Sequence, residues 1–98
     1  MIFKTIIGNV KLTKARIEHI LQRHPVMKDH LCNIKEVLEA PKEIRFSSRS
    51  DEVLLFYSFF DNIESGKYLA VVVNKSEKSV LTTYLTNRIK TGRKYEKE

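Results

Sequence analysis

The sequence contains one cysteine, so it cannot form an internal disulfide bond and has no cysteine pair that could help build a zinc site. No apolar run is long enough for a bilayer-spanning helix. The N-terminal run IFKTII meets charge at Lys4, which is too early for a signal peptide. These absences predict a cytoplasmic location and no membrane contact, although a domain from a longer secreted chain would show the same pattern.

The chain also lacks the short motifs of several enzyme classes. It has no phosphate-binding glycine-rich loop, no nucleophile elbow and no HExxH helix, which argues against nucleotide hydrolysis and serine hydrolase chemistry. No group of cysteine, histidine and carboxylate residues shows metal-ligand spacing. We therefore expect neither a metal nor a cofactor.

The composition is that of one small, basic, globular domain. Its 98 residues are 42% hydrophobic and 31% charged, which suffices for a single core. Lys and Arg number 18 against 12 Asp and Glu, for a net charge of +6. Such a charge favours an anionic partner: nucleic acid, an anionic membrane surface or an acidic protein.

The first part of the chain predicts one strand and two helices. Residues 2–7 are rich in β-branched and aromatic side chains and precede a turn signal at Gly8. Thr13 can cap a helix over about 14–24, where apolar residues recur at helical spacing up to Pro25. Asp29 can cap a second amphipathic helix that ends at Pro41.

After Pro41 the apolar residues follow the period of strands. Four segments, KEIRFSS, EVLLFYSFF, KYLAVVVN and SVLTTYLTN, are joined by short polar connections that suit antiparallel hairpins. The expected fold is therefore α+β, with two N-terminal helices on one face of a four- to five-stranded antiparallel sheet. The charged tail is expected to be a frayed helix or a mobile arm. The predicted layout is an edge strand over 1–8, two helices over 13–40, an antiparallel meander over 42–88 and a basic tail over 89–98.

Two histidines on the first helix are candidate acid–base groups. His19 lies between Arg16 and Arg23 on the polar face, where two guanidinium groups favour a neutral ring that could act as a base. His24 lies at the helix end, where the helix dipole favours a cationic ring that could act as an acid. The alternatives are structural roles: His19 would simply lie on a solvated helix face, and His24 would serve only as a C-terminal cap.

The last strand and the longest strand supply further candidates. Thr82, Tyr84 and Thr86 alternate onto one face, followed by Arg88, and these groups could hold a phosphate by hydrogen bonds and charge. The alternative is an ordinary antiparallel strand with one solvent-exposed face. Tyr57 could stack on an unpaired base, although aromatic side chains on a small sheet are more often part of the core.

Two basic clusters could contact phosphates without reading sequence, although such clusters are often simply solvated surface. One opens the first helix and the other lies in the tail. The residues predicted to bind RNA are Lys14, Arg16, Thr86, Arg88, Lys90 and Arg93.

The order of these features resembles that of a known nuclease superfamily. A helix that ends in RHP, a second helix before Pro41, and strands with LLFY, GKYLAVVV and LTTYLTNRIKTG are similar to the barnase, EndoU, colicin E5/D and RelE-like nucleases, most of all the phage- and toxin-associated branches. The similarity covers roughly residues 13–92. It implies functional roles for His19, Arg23, His24, Tyr57, Thr82 and Tyr84.

The resemblance implies a metal-independent endoribonuclease in which the 2′-hydroxyl attacks the adjacent phosphate and leaves a 2′,3′-cyclic phosphate. The histidines would be base and acid, and Arg23, Thr82 and Tyr84 would hold the phosphate. It also implies a toxin that an acidic antitoxin or immunity protein neutralises. Two alternatives stay open: an RNA-binding module without catalysis, and a phage- or defence-associated interaction protein. The sequence predicts neither the RNA class nor the oligomeric state.

Overall fold

The computed structural model describes residues 1–95 and has an α+β fold with two α-helices and a six-stranded mixed sheet. The last three residues of the predicted tail, 96–98, lie outside the described residues. None of the helices in the described chain is long and apolar enough to cross a membrane. The elements are β1 (Ile2–Thr5), β2 (Gly8–Lys11), α1 (Lys14–Arg23), α2 (Ile34–Glu39), β3 (Glu43–Ser47), β4 (Ser50–Phe60), β5 (Lys67–Asn74) and β6 (Ser79–Thr86).

The N-terminus forms a hairpin rather than the single strand predicted over 1–8. β1 and β2 pair antiparallel, and the turn between them lies before Gly8 instead of at Gly8-Asn9. The Thr5 hydroxyl donates to the Gly8 carbonyl at 2.8 Å and accepts from the Ile7 amide at 3.1 Å. Gly8 has φ +108°, which a residue with a side chain rarely adopts. The second strand was missed because only Val10 is buried among its four residues.

Helix α1 begins and ends as its sequence predicts. The Thr13 hydroxyl accepts a hydrogen bond from the Arg16 amide at 3.2 Å, as an N-cap residue does. His24 is the C-cap, and its amide donates to the Ile20 carbonyl. Ile20 is fully buried and packs into the core, whereas His19 is exposed.

The second helix is shorter than predicted. Two 3-10 turns, Pro25–Asp29 and Leu31–Asn33, precede α2, and Asp29 caps neither of the following elements. The prediction of a single helix capped by Asp29 was wrong, because the backbone leaves the helical region at His30, with φ −124° and ψ 7°, between the two 3-10 turns. The predicted apolar face is nevertheless present, since Ile34, Val37 and Leu38 are buried.

The sheet has the strand order β1-β2-β6-β5-β4-β3. The four C-terminal strands form the predicted antiparallel meander, but β2 pairs in parallel with β6 through Lys11 and Ser79. The prediction of four to five purely antiparallel strands was therefore wrong. Because β2 meets only the start of β6, the rest of that edge is left for α1, which packs beside it.

The two faces of the sheet differ in what covers them. The helices pack on one face, where Leu54 and Phe56 of β4 and Leu69 and Val71 of β5 are buried in the main core. We call the opposite side the open face; a smaller apolar cluster lies there, formed by Leu55, Tyr57 and Ala70 with partly buried neighbours.

Residues 87–95 cross the open face, and we call this segment the C-terminal strap. Ile89 packs on the small cluster, and the strap then reaches the outer edge of β3. There the Phe46 amide donates to the Arg93 carbonyl at 2.8 Å, and the Tyr95 amide donates to the Ile44 carbonyl at 2.9 Å. This part of the tail is neither the frayed helix nor the mobile arm that was expected, because β3 offers unpaired backbone groups to it.

Candidate functional site

The strand register aligns two rows of side chains across the open face. One row contains Arg45, Leu55, Val72 and Thr82, and the other contains Glu43, Tyr57, Ala70 and Tyr84. Each row crosses from β3 to β6, which is about 14 Å at the usual strand spacing. The predicted alternation of the last strand is confirmed, since Thr82 and Tyr84 lie on the open face while Thr83 is buried on the other.

A pocket of about 400 Å³ lies over these rows, within the size range of small-ligand sites. The C-terminal strap forms one wall and the β3–β4 turn forms another. Three cations reach it, and no carboxylate lines it in the described part of the chain. The pocket therefore has the charge of an anion-binding site. Its lining residues are Arg45, Phe46, Ser47, Ser48, Arg49, Val53, Leu55, Tyr57, Val72, Thr82, Tyr84, Lys90 and Thr91.

Tyr84 has a buried hydroxyl with no hydrogen-bond partner among the described residues. Burial raises the pKa of Tyr84 above 10.0, an effect that the nearby Tyr57 hydroxyl partly offsets, although no hydrogen bond of ordinary geometry joins the two phenols. The phenol is thus neutral at physiological pH and has a donor available. An unpaired buried hydroxyl costs free energy that a ligand atom can recover.

Tyr57 is fully buried, which agrees with the core alternative to base stacking. Its hydroxyl accepts a hydrogen bond from the Lys90 amide at 3.2 Å and so ties the strap to the sheet. Burial raises its pKa, and the bond from Lys90 opposes that effect. The Lys90 ammonium lies 5.5 Å from the centre of the Tyr84 ring, within cation–π range.

His24 lies beside Tyr84. Its ring centroid is 6.0 Å from that of Tyr84, with an angle of 35° between the ring planes. The contact follows from the fold, because α1 packs along the part of β6 that β2 leaves unpaired. An imidazole is therefore held beside the Tyr84 ring of the last strand.

His19 lies elsewhere on the helix. Five positions separate the two histidines, which places them about 140° apart around the helix axis. His19 lines a separate shallow hollow with Thr13, Ala15 and Arg16. The structure brings His24 to Tyr84 and leaves His19 with the polar face of α1.

The remaining basic candidates divide between the helix and the strap. Lys14 and Arg23 are exposed on α1, and neither lines the pocket. Arg93 stacks 4.3 Å from the centre of the Phe46 ring and pairs with Asp51 at 3.1 Å.

The candidate residues Thr86 and Arg88 lie at the end of β6 and just beyond it. The Thr86 hydroxyl donates to the carbonyl of Arg88 at 3.1 Å, and the Arg88 side chain is exposed. Of the cations predicted to bind RNA, Lys90 alone is among the residues that line the pocket.

Two pocket arginines were missed in the sequence analysis. Arg45 lies between Ile44 and Phe46 in an alternating strand, so its side chain faces opposite to theirs, and Arg49 lies in the β3–β4 turn. Alternation places the Arg45 side chain opposite to those of Ile44 and Phe46. Assigning it to the face of Tyr57 also requires the pairing of β3 with β4, which the sequence does not give.

Within residues 1–95 no cluster of three or more histidine, cysteine, aspartate and glutamate residues could hold a metal ion. No protein-family model, curated protein or solved structure matches the chain.

Proposed function

We propose that the protein is an endoribonuclease that cleaves RNA by attack of the 2′-hydroxyl, without a metal ion. The observation that carries the proposal is the position of His24 beside Tyr84, whose own side chain lines a cationic, hydroxyl-lined pocket. His24 is not itself among the lining residues and adjoins the pocket through Tyr84. The order of helices before an antiparallel meander supports the resemblance to the barnase, EndoU, colicin E5/D and RelE-like nucleases. That membership is part of the proposal.

The reaction needs a proton-transfer group and a site for the charged phosphate. The 2′-hydroxyl loses its proton as its oxygen attacks phosphorus, the bond from phosphorus to the 5′-oxygen breaks, and the 5′-oxygen takes a proton. We assign the proton transfers to His24, because an imidazole can both accept and donate a proton. A 2′,3′-cyclic phosphate and a 5′-hydroxyl result.

The charge on phosphorus is stabilised from the floor of the pocket. The Tyr84 hydroxyl is buried, protonated and without a partner, so it can donate to a phosphate oxygen without first breaking another bond. Thr82 adds a second hydroxyl, and Lys90 adds positive charge from the strap. Tyr57 acts indirectly by holding Lys90 in place.

The exposed cations of α1 extend this surface beyond the pocket. Lys14, Arg16, His19 and Arg23 lie on the helix that carries His24, and we assign them contacts with the RNA backbone outside the pocket. Such contacts supply affinity without sequence specificity. An acidic antitoxin or immunity protein that covers this surface would silence the enzyme by competing with RNA.

The test is cleavage of cellular RNA by the purified protein in excess EDTA, with analysis of the new ends for cyclic phosphate. His24→Ala should lower the rate by about 10² to 10⁴, the usual range for a proton-transfer group, and Tyr84→Phe should lower it as well. His30→Ala is the matched control, because His30 neither lines the pocket nor has its ring beside Tyr84, as His24 does. His19→Ala should affect RNA affinity more than rate.

Two results would contradict the proposal. One is a His24→Ala variant that cleaves as fast as the parent. The other is salt-sensitive RNA binding with no strand scission by a folded wild-type protein, which would favour the RNA-binding module.

A further inference from the structure

Arg45 lines the pocket on β3, across the sheet from the proposed point of cleavage. It occupies the same cross-strand row as Thr82, at the opposite end, so the two Cα atoms are about 14 Å apart. A phosphate held by Thr82 and Tyr84 would therefore lie at one end of the pocket and the Arg45 guanidinium at the other. The floor between them, formed by Leu55 and Val72, is apolar and offers nothing to a phosphate.

The Arg45 guanidinium is held in place but not saturated. Its Nε pairs with the Glu43 carboxylate, and Nη1 donates to the Gly92 carbonyl at 2.8 Å. A guanidinium has five N–H donors, so three have no partner among the described residues. The side chain is 30% exposed and lines the pocket, whereas Glu43 does not.

A purely structural role would leave these three donors to solvent water, since the side chain is partly exposed. The contact with Gly92 shows that Arg45 also anchors the strap, but Phe46, Asp51 and Ile44 hold the same segment by other bonds. A fixed guanidinium with free donors facing a cavity is the arrangement that recognises a phosphate by parallel hydrogen bonds.

We infer that Arg45 forms a second phosphate subsite, so that the pocket binds an RNA strand through two phosphates on either side of one nucleoside. The inference depends on the proposed function in taking an RNA strand as the ligand. It adds a specific binding role for Arg45 and requires a substrate with a phosphate beyond the scissile one. Lys90 and Arg49 add positive charge to the lining of the same pocket.

The test uses dinucleotides with a 2′-deoxy sugar, which bind but cannot be cleaved by 2′-hydroxyl attack. Their dissociation constants are measured by NMR titration with no terminal phosphate, with a 5′-phosphate and with a 3′-phosphate. For the wild type, one terminal phosphate should tighten binding by about tenfold or more, as expected for charge-assisted hydrogen bonds. Arg45→Gln should reduce that gain to less than about twofold, and Arg45→Lys should keep part of it.

Two control variants separate this role from others. Lys35→Ala removes an exposed cation of α2 and should keep the full gain. Tyr95→Ala weakens the strap, since Tyr95 packs on Phe46 at a ring distance of 5.5 Å, but it leaves every pocket cation present. Tyr95→Ala should therefore also keep the gain in affinity that the terminal phosphate provides.

The inference is overturned by a wild type that gains nothing from either terminal phosphate. It is equally overturned by a gain that survives in Arg45→Gln, or by one that Tyr95→Ala abolishes to the same extent. An Arg45-dependent gain in a protein that does not cleave RNA would support the subsite and refute the nuclease proposal instead. The two failures are thus distinguishable.

Discussion

Replacing Tyr84 by phenylalanine should stabilise the folded protein while it impairs RNA cleavage. The Tyr84 hydroxyl is buried and has no hydrogen-bond partner among residues 1–95. A buried polar group without a partner costs about 1–3 kcal/mol, and phenylalanine removes that cost while it keeps the ring. We expect the free energy of unfolding of Tyr84→Phe to rise by about 1 kcal/mol, which corresponds to about 4–8 °C in Tm for a domain of this size.

The matched variant is Tyr57→Phe, which should change stability in the opposite direction. The Tyr57 hydroxyl accepts a hydrogen bond from the Lys90 amide at 3.2 Å, so its removal breaks a bond and loosens the strap. We expect a loss of about 1 kcal/mol. The two variants delete the same atom type from neighbouring residues of one face, and only the hydrogen bonding of the hydroxyl differs between them.

The assay is urea unfolding followed by circular dichroism, with the slope m compared among the three proteins. Equal m values would show that only stability has changed, and the difference in midpoint then gives the change in free energy. Destabilisation of Tyr84→Phe equal to that of Tyr57→Phe would refute the reasoning. Such a result would mean that the Tyr84 hydroxyl already has a partner in the free protein.

Two further predictions concern pH and helix capping. Burial raises the pKa of Tyr57 and of Tyr84 above 10.0, so the folded state holds their protons more tightly than the unfolded state does. Ionisation of these two phenols is therefore costlier in the folded state, so the free energy of unfolding falls as pH rises through 10 and then through the raised pKa values. The double variant Tyr57→Phe/Tyr84→Phe should show a shallower alkaline loss of stability in unfolding experiments between pH 9 and 12. Thr13→Ala should lower the free energy of unfolding by about 1 kcal/mol because the Arg16 amide loses its partner, whereas Thr13→Ser should retain most of it. Equal stability of the Ala and Ser variants would contradict the capping role.

Features that depend on neighbouring residues in the chain were predicted correctly. Thr13 caps α1 and Pro25 follows its C-cap, as the local pattern indicates. The alternation of Tyr57 on β4 and of Thr82 on β6 also places the side chains on the predicted faces. Capping and two-residue alternation require only the sequence of the element itself.

Features that depend on distant partners were not predicted. β2 has a single buried residue, Val10, and its identity as a strand comes from pairing with β1 and β6. The helix predicted from Asp29 is partly replaced by 3-10 turns, with non-helical backbone at His30 and with Met27 and Ile34 on either side of it buried in the core. Neither feature can be derived from the local pattern of the segment alone.

In the candidate site too, the sequence predicted local features and missed contacts between distant residues. Its residue types were visible in the sequence, and His24, Tyr84 and Lys90 were all among the predicted residues. Their proximity was not visible, because it requires α1 to pack along the edge of β6 and the strap to cross the open face. Arg45 was missed for the same reason, since it reaches the pocket only through the pairing of β3 with β4.

The amino-acid sequence by itself therefore determined the α+β class, the extent of α1, the faces of the long strands and the basic charge. These properties follow from local periodicity, capping and composition, which do not depend on where the chain folds back. The tertiary structure alone decided that His24 and not His19 lies beside Tyr84, that the strap closes one side of the pocket and that Arg45 lines it. Those contacts join residues far apart in the chain, and strand pairing and core packing select them together.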